Sequence, residues 1–95
     1  MTLTDAQARI LQAMREGEQL EWVDLTRHPI LITGRVVDGH LAEEQADPDA
    51  VLQLTDLLLI HFRYDRATRT RYYSLTTLAL TPAGAEALAQ WEAGR

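Results

Sequence analysis

Apolar residues recur at helical spacing in three separate stretches of the chain. Near the amino terminus Ile10, Ala13 and Met14 repeat every three or four residues, so they share one face of a helix. Leu54 and Leu58 repeat in the same way in the middle of the chain, and a further apolar stretch lies close to the carboxyl terminus. This pattern predicts helices over residues 5–16, 48–58 and 82–92.

Each predicted helix begins with a capping signal. Thr4 and Gln7 have the spacing of a capping box, in which each side chain accepts a hydrogen bond from the backbone of the other residue. The two later helices begin with a capping residue followed by proline, whose missing N–H would have no partner at the first helical position. These pairs are Asp47-Pro48 and Thr81-Pro82.

The apolar period changes after the second predicted helix. Ile60, Phe62 and Tyr64 alternate with polar residues, as in a strand with one buried face. We therefore predict a hairpin with strands near residues 59–64 and 70–79, joined by a polar loop at residues 65–68.

The chain between the first two predicted helices has a weaker pattern. The run Ile30-Leu31-Ile32-Thr33 predicts a short strand, which Val36-Val37 extend. Leu20 and Trp22 are expected to anchor a loop on the core. Residues 38–49 are expected to form a turn and a short acidic helix.

Together these elements predict one α+β domain over residues 1–95, with three main helices and a β-hairpin. The residues that recur at each element's own period should form its core. They are Ile10, Met14, Leu54, Leu58, Ile60, Leu75 and Leu88.

Composition narrows the classes of protein further. The chain has no cysteine, which excludes disulfides and thiolate metal sites, and its amino terminus lacks the basic and then apolar layout of a signal peptide. A bacterial cytoplasmic location is therefore expected. All nine basic residues are arginine, and the net charge is −5, whereas domains that depend on phosphate contacts are usually basic.

The second half of the chain resembles the winged-helix transcriptional regulators of the MarR and PadR type. The matching residues are Leu54, Leu58-Leu59-Ile60, a charged wing over Arg63–Arg71, Leu80-Thr81-Pro82-Ala83-Gly84 and Leu88. The stretch from Thr2 to Met14 is similar to the opening helix of those proteins. The resemblance implies a winged helix-turn-helix fold with its wing at about residues 59–80, a homodimer, and regulation of transcription through double-stranded DNA.

The chain departs from that pattern at two places. Residues 18–45 do not form an obvious positioning helix, so the helix-turn-helix is either degenerate or replaced by an insertion that contains strands. Leu58 occupies the position where the family usually has glycine, which predicts the loss of a bend between the recognition helix and the wing.

The charge pattern of the wing predicts a DNA-binding site. Four arginines there face one acidic residue, Asp65, and arginine binds phosphate bidentately or enters the minor groove. On the second helix Gln53 and Thr55 are candidates for base contacts, since glutamine can pair with adenine. The predicted DNA-binding residues are therefore Arg63, Arg66, Arg69, Arg71, Gln53 and Thr55. Tyr72 and Tyr73 are expected to pack the wing on the core rather than to stack on bases.

An alternative function follows from the acidic stretch before the wing. Residues 38–56 contain six acidic residues and no basic one, which repels phosphate. This surface could instead bind another protein, without any DNA binding, through Glu43, Glu44, Asp49 and Asp56. A helix dipole complemented by acidic residues explains Asp47 and Asp49 equally well.

No residue pattern in the chain predicts catalysis, a metal or a cofactor. His28, His40 and His61 are scattered without metal-ligand spacing, and no serine or threonine has the setting of a nucleophile. The protein is expected not to be an enzyme. For the homodimer, Leu88 and Trp91 on the last helix are candidate interface residues. The alternative is that Trp91 folds back onto the first helix of its own chain.

Overall fold

The computed structural model describes residues 2–25 and 31–94, apart from the side chains of residues 24–25, 31–33 and 41–44. Within these described residues, three helices and five strands follow one another. They are α1 (Asp5–Arg15), β1 (Gln19–Leu25), β2 (Leu31–Val37), β3 (His40–Gln45), α2 (Pro48–Asp56), β4 (Ile60–Arg69), β5 (Tyr73–Leu80) and α3 (Pro82–Ala93). The chain therefore has the predicted α+β class, with three helices at the predicted places.

All three helix starts have the predicted caps. The Thr4 hydroxyl accepts from the Gln7 backbone N–H at 3.1 Å, and the Gln7 side chain accepts from the Thr4 N–H at 3.0 Å, which completes the capping box. Asp47 and Thr81 cap α2 and α3. These local hydrogen bonds satisfy amide groups that no preceding turn of helix can reach.

The five strands form one antiparallel sheet in the order β3-β2-β1-β5-β4. Strand β1 lies at its centre and pairs with β2 on one side and β5 on the other. The loop predicted for Leu20 and Trp22 is therefore wrong, since both lie in β1 with their side chains buried. Their alternation with Glu21 and Val23 is that of a strand, but it is too short a pattern to outweigh its polar surroundings.

The short acidic helix predicted within residues 38–49 is also wrong. A tight turn at Asp38-Gly39 joins β2 to β3, and both turn residues have positive φ, at 53° and 80°. Two such residues are what a two-residue hairpin requires, and Asp-Gly is a strong signal for it. Pairing with β2 holds the polar residues of β3 in a strand despite their low strand propensity.

The hairpin of β4 and β5 is longer than predicted, and its turn lies elsewhere. Residues 65–68, predicted as the loop, belong to β4, and the chain reverses at residues 70–73 instead. There the Thr70 hydroxyl accepts hydrogen bonds from the backbone N–H groups of Tyr72 and Tyr73, which supports the turn. A bulge separates the pair Arg63 and Thr77 from the pair Thr68 and Leu75.

The helices pack on one side of the sheet and enclose the core there. Strand residues directly opposite each other point to the same side, so the pairs Leu20 with Leu78 and Phe62 with Leu78 place all three side chains on this helix-bearing side. The core joins them to residues of all three helices. Its largest fully buried side chains are Leu11, Leu20, Leu54, Ile60, Leu88 and Val51.

Four of the seven predicted core residues are buried: Ile10, Leu54, Ile60 and Leu88. Met14 is partly buried against the core. Leu75 is only half-buried, because it points to the side of the sheet opposite Leu78. The prediction that Leu58 belongs to the core is wrong, since 73% of this residue is exposed whereas its neighbour Leu59 is 2% exposed.

The exposure of Leu58 follows from the way α2 ends. Its φ is +61°, and the N–H groups of Leu58 and Leu59 bond the carbonyls of Thr55 and Leu54, both at 3.0 Å. These two bonds define a Schellman motif with Leu58 at the left-handed position that usually holds glycine. The predicted loss of the bend before the wing is therefore wrong: the bend is present, with a leucine in it.

Among the described residues, no helix has both the length and the apolar composition that a membrane span needs.

Candidate nucleic-acid interface

The outer part of the β4–β5 hairpin lies clear of the core. Every residue from 64 to 73 is exposed, and we call this segment the hairpin tip. Three of the predicted DNA-binding arginines, Arg66, Arg69 and Arg71, lie in it. The tip therefore offers basic side chains on a two-stranded support, because backbone pairing with β5 positions the strand without burying it.

Arg63, the fourth predicted arginine, directly precedes the tip and pairs with Asp65. Its Nε and Nη2 atoms donate to the two carboxylate oxygens at 3.2 and 3.1 Å. This hydrogen bond is the main reason why the pKa of Asp65 is lowered and the pKa of Arg63 is raised. Asp65 is the only acidic residue of the tip, so its charge is largely matched by Arg63.

A row of aromatic rings leads from the core to the tip. Phe62 meets the buried Trp22 edge-on, with centroids 5.9 Å apart. On its far side Tyr64 is stacked against Phe62 at 5.7 Å and an interplanar angle of 28°. Tyr64 is nevertheless 75% exposed. Packing on Phe62 therefore supports one part of the Tyr64 ring, while solvent can reach most of its surface.

Gln53 and Thr55, the predicted base-contacting residues, lie on α2 and bond within the protein. The side-chain oxygen Oε1 of Gln53 accepts from the side-chain amide of the buried Gln7 at 2.9 Å. The Thr55 hydroxyl donates to the Leu52 carbonyl at 2.7 Å. Base contacts by these side chains would compete with bonds that link α2 to α1 or stay within α2.

The residues of the predicted protein-binding surface lie in two different elements. Asp49 and Asp56 are exposed on α2, whereas Glu43 and Glu44 belong to β3, and their side chains lie outside the described residues. Glu43 and Glu44 therefore lie in a strand rather than in the short acidic helix predicted within residues 38–49. The surface of α2 is acidic all the same, since α2 has no basic residue.

Sequence reasoning missed an apolar surface at the end of α2. Leu57 and Leu58 are exposed there, Leu52 is exposed earlier on α2, and we call these three residues the leucine patch. The available signal was the run Leu57-Leu58-Leu59, because neighbouring residues cannot all point to the core from the end of one helix. Asp56 adjoins the patch in sequence.

The structure places the last helix on the first. Leu88 is fully buried in the core of its own chain, and Trp91 is partly buried against that core. Arg15 of α1 and Glu92 of α3 form an ion pair, whose second contact measures 3.1 Å. Leu88 is therefore occupied within the chain, and the predicted homodimer has no support from it.

The remaining candidates for chemistry are few. A shallow depression of about 190 Å³ lies between α1 and the β3–α2 connection, with Arg9, Arg35 and Asp47 among its lining residues. In the described part of the chain no three metal-binding side chains come together. His40 and His61 lie on opposite edge strands, and His28 falls outside the described residues.

Comparison with family models, with curated proteins and with solved structures gave no match for this chain.

Proposed function

We propose that the domain is a variant of the winged helix in which a strand hairpin replaces the positioning helix. The order α1, β1, α2, β4, β5 supports this interpretation, with β1 beside β5 in the sheet. Hairpin β2–β3 occupies the chain between β1 and α2. A helix-turn-helix requires a second helix just before the recognition helix, and at that place the described chain has β3.

Within this fold, the proposed function is nucleic-acid binding through the hairpin tip. The observation that carries it is the exposure of all residues from 64 to 73, three of which are arginines outside the Arg63–Asp65 pair. Guanidinium groups on a projecting support can reach phosphate oxygens bidentately. A DNA-binding regulator of transcription would use the tip as its wing.

The contact is assigned to the hairpin rather than to α2 because of charge. A helix in the major groove lies between two rows of phosphates, so each carboxylate on it is repelled. Asp49 and Asp56 are exposed on α2, and no arginine on that helix offsets them. The net charge of −5 makes binding by the whole surface unfavourable, which leaves the tip as the basic contact.

The test measures binding to a random-sequence duplex as salt is raised. The wild type should bind at low salt and lose affinity steeply as salt is raised. Replacing Arg66, Arg69 and Arg71 together with alanine should abolish binding. Arg69→Ala alone should make the salt dependence shallower, since each phosphate contact adds close to one unit of salt slope. Asp49→Asn with Asp56→Asn should strengthen binding. Arg9→Ala, which removes an arginine of α1 outside the tip, is the control for Arg69→Ala and should leave binding unchanged. A wild type that binds no nucleic acid even at low salt would refute the proposal.

A second candidate function is the docking of a basic amphipathic protein segment on the end of α2. The leucine patch favours it, because exposed leucines beside Asp56 offer both apolar area and charge complementarity. Leu58→Gly removes the most exposed leucine from a backbone that suits glycine. Together with Asp56→Asn it should abolish capture of such a partner, while the arginine variants of the tip should not affect it.

A further inference from the structure

Tyr64 combines properties that phosphate binding alone does not require. Tyr64 is 75% exposed, and its ring is stacked on Phe62, which itself packs against the core. Phosphate contact needs only cations. A supported aromatic ring at the surface, beside arginines, has the composition of a platform for nucleobases.

The bulge in β4 begins at the position of this ring. Residues 64–67 lie opposite the single residue Thr76, because Arg63 pairs with Thr77 and Thr68 with Leu75. A bulge bends its strand and redirects the side chains in it. Tyr64 is the first residue of the bulged segment and keeps its contact with Phe62.

The strand register beyond the bulge places Arg69 on the same side of the sheet as Phe62. Arg69 pairs with Ser74, which lies four residues before Leu78 on β5. Residues four apart on a strand point to the same side, so Arg69 shares the side of Leu78 and Phe62. Ser74 and Leu78 lie about 13 Å apart along the strand, and Tyr64 lies between these positions.

We propose that the tip binds unpaired nucleotides, with a base stacked on Tyr64 and the adjoining backbone phosphate held by Arg69. This inference rests on the proposed function and specifies its substrate class. Paired bases bury both faces in the duplex, so an aromatic ring can stack only on a base that is unpaired or at an end. Single strands expose those faces without the cost of opening a duplex.

The experiment compares a fluorescently labelled oligo-dT strand of about 12 nucleotides with a duplex of equal length. Wild type should prefer the single strand. Tyr64→Ala should weaken single-strand binding by about tenfold and leave duplex binding unchanged, because one base-aromatic stack accounts for about that factor. Tyr64→Phe keeps the aromatic ring and should bind the single strand as the wild type does. Tyr72→Ala, which alters a tyrosine of the turn outside the aromatic row, is the matched control.

The outcomes separate this inference from the function on which it rests. If Tyr64→Ala binds the single strand as the wild type does, or if the duplex is preferred, base stacking on Tyr64 is refuted and arginine-based binding stands. If neither probe binds at low salt, both proposals fall. Circular dichroism of each variant verifies the fold, and Tyr64→Leu, which keeps an apolar side chain beside Phe62 but has no aromatic face, gives the same test if Tyr64→Ala is unfolded.

Discussion

The inner and outer parts of the β4–β5 hairpin share one backbone ladder but have opposite environments. At the inner end Ile60 pairs with Leu80, and Ile60 is 1% exposed beneath the helices. From Tyr64 outward every side chain to Tyr73 is exposed. Burial by the helices stabilises the inner part, while the outer part extends beyond them. The same hairpin thus supplies both core and free surface, and substitutions in the two parts should have separable effects.

The largest effect is expected where α3 meets the inner end of the hairpin. A methyl group at Gly84 would overlap the Leu59 carbonyl and approach Leu80 Cδ1 to 2.8 Å. Backbone cannot move aside as a flexible side chain can. Gly84→Ala should therefore lower the free energy of unfolding by about 3 kcal/mol or more, as severe overpacking does. Denaturant unfolding measures it, and Ala85→Gly is a control that tests helix propensity alone. A loss below about 1 kcal/mol would show that α3 is not docked this closely.

A matched pair on β4 compares the two environments directly. Ile60→Ala should cost about 2–5 kcal/mol, since it opens a cavity in the core. Tyr64→Ala, four residues along the same strand, should cost less than about 1 kcal/mol, because the ring loses one stacking contact and little burial. Urea denaturation of both variants provides the measurement. Equal losses would mean that the tip is part of the core, which would contradict its assignment as a binding surface.

The contrast also explains how much of the structure the sequence could predict. Capping residues and helical periods are local, and the three helices they predicted are confirmed within a few residues. Strands β1 and β3 depend on partners elsewhere in the chain: β1 is held by β5, more than 45 residues later. No local pattern contains that information. The turn of the wing was misplaced because Asp65 resembled a loop residue, whereas the structure pairs it with Arg63.

For the candidate site, sequence predicted charge but not geometry. The arginines of the wing are in the predicted hairpin, yet the pairing of Arg63 with Asp65 follows from residues 65–68 continuing β4, where the sequence predicted a loop. Leu58 was placed in the core because its helical period continues from Leu54. The Schellman motif interrupts that period, and the next residue takes the buried place.

The end of α2, just before the inner hairpin, offers a smaller effect of opposite sign. Helix α1 ends in the same motif, with Gly17 at φ +95°, and a methyl group added to that glycine would have nothing within 4 Å. Leu58 adopts a similar left-handed conformation, in which the Cβ atom of leucine causes a steric strain that glycine lacks. Leu58→Gly should raise the free energy of unfolding by about 1 kcal/mol, and Gly17→Ala should lower it by a similar amount. Thermal or urea unfolding of both variants tests this, and destabilisation by Leu58→Gly would indicate that the leucine side chain is buried.

The smallest effect belongs to the ion pair at the start of the tip. The pKa of Asp65 is lowered mainly by its hydrogen bond from Arg63, and more weakly by the charges of Arg63 and Arg66. A lowered pKa in the folded state contributes stability above the unfolded pKa, and that contribution is lost as pH falls through the folded pKa, below about pH 4. Because both groups are exposed, water and salt screen the pair, and its effect on unfolding should be small.

The titration of Asp65 itself is the sharper measurement, followed by NMR of its carboxyl carbon. Arg63→Gln should raise the pKa of Asp65 toward its ordinary value, because the hydrogen bond is its largest cause. Arg66→Gln should raise it less, since Arg66 acts only through charge. Added salt should reduce the effect of Arg66 more than that of Arg63, because a direct hydrogen bond is less screened than a charge at a distance. Equal shifts in the two variants would show that Arg63 does not hold Asp65, and that its guanidinium is available to a ligand together with the arginines of the tip.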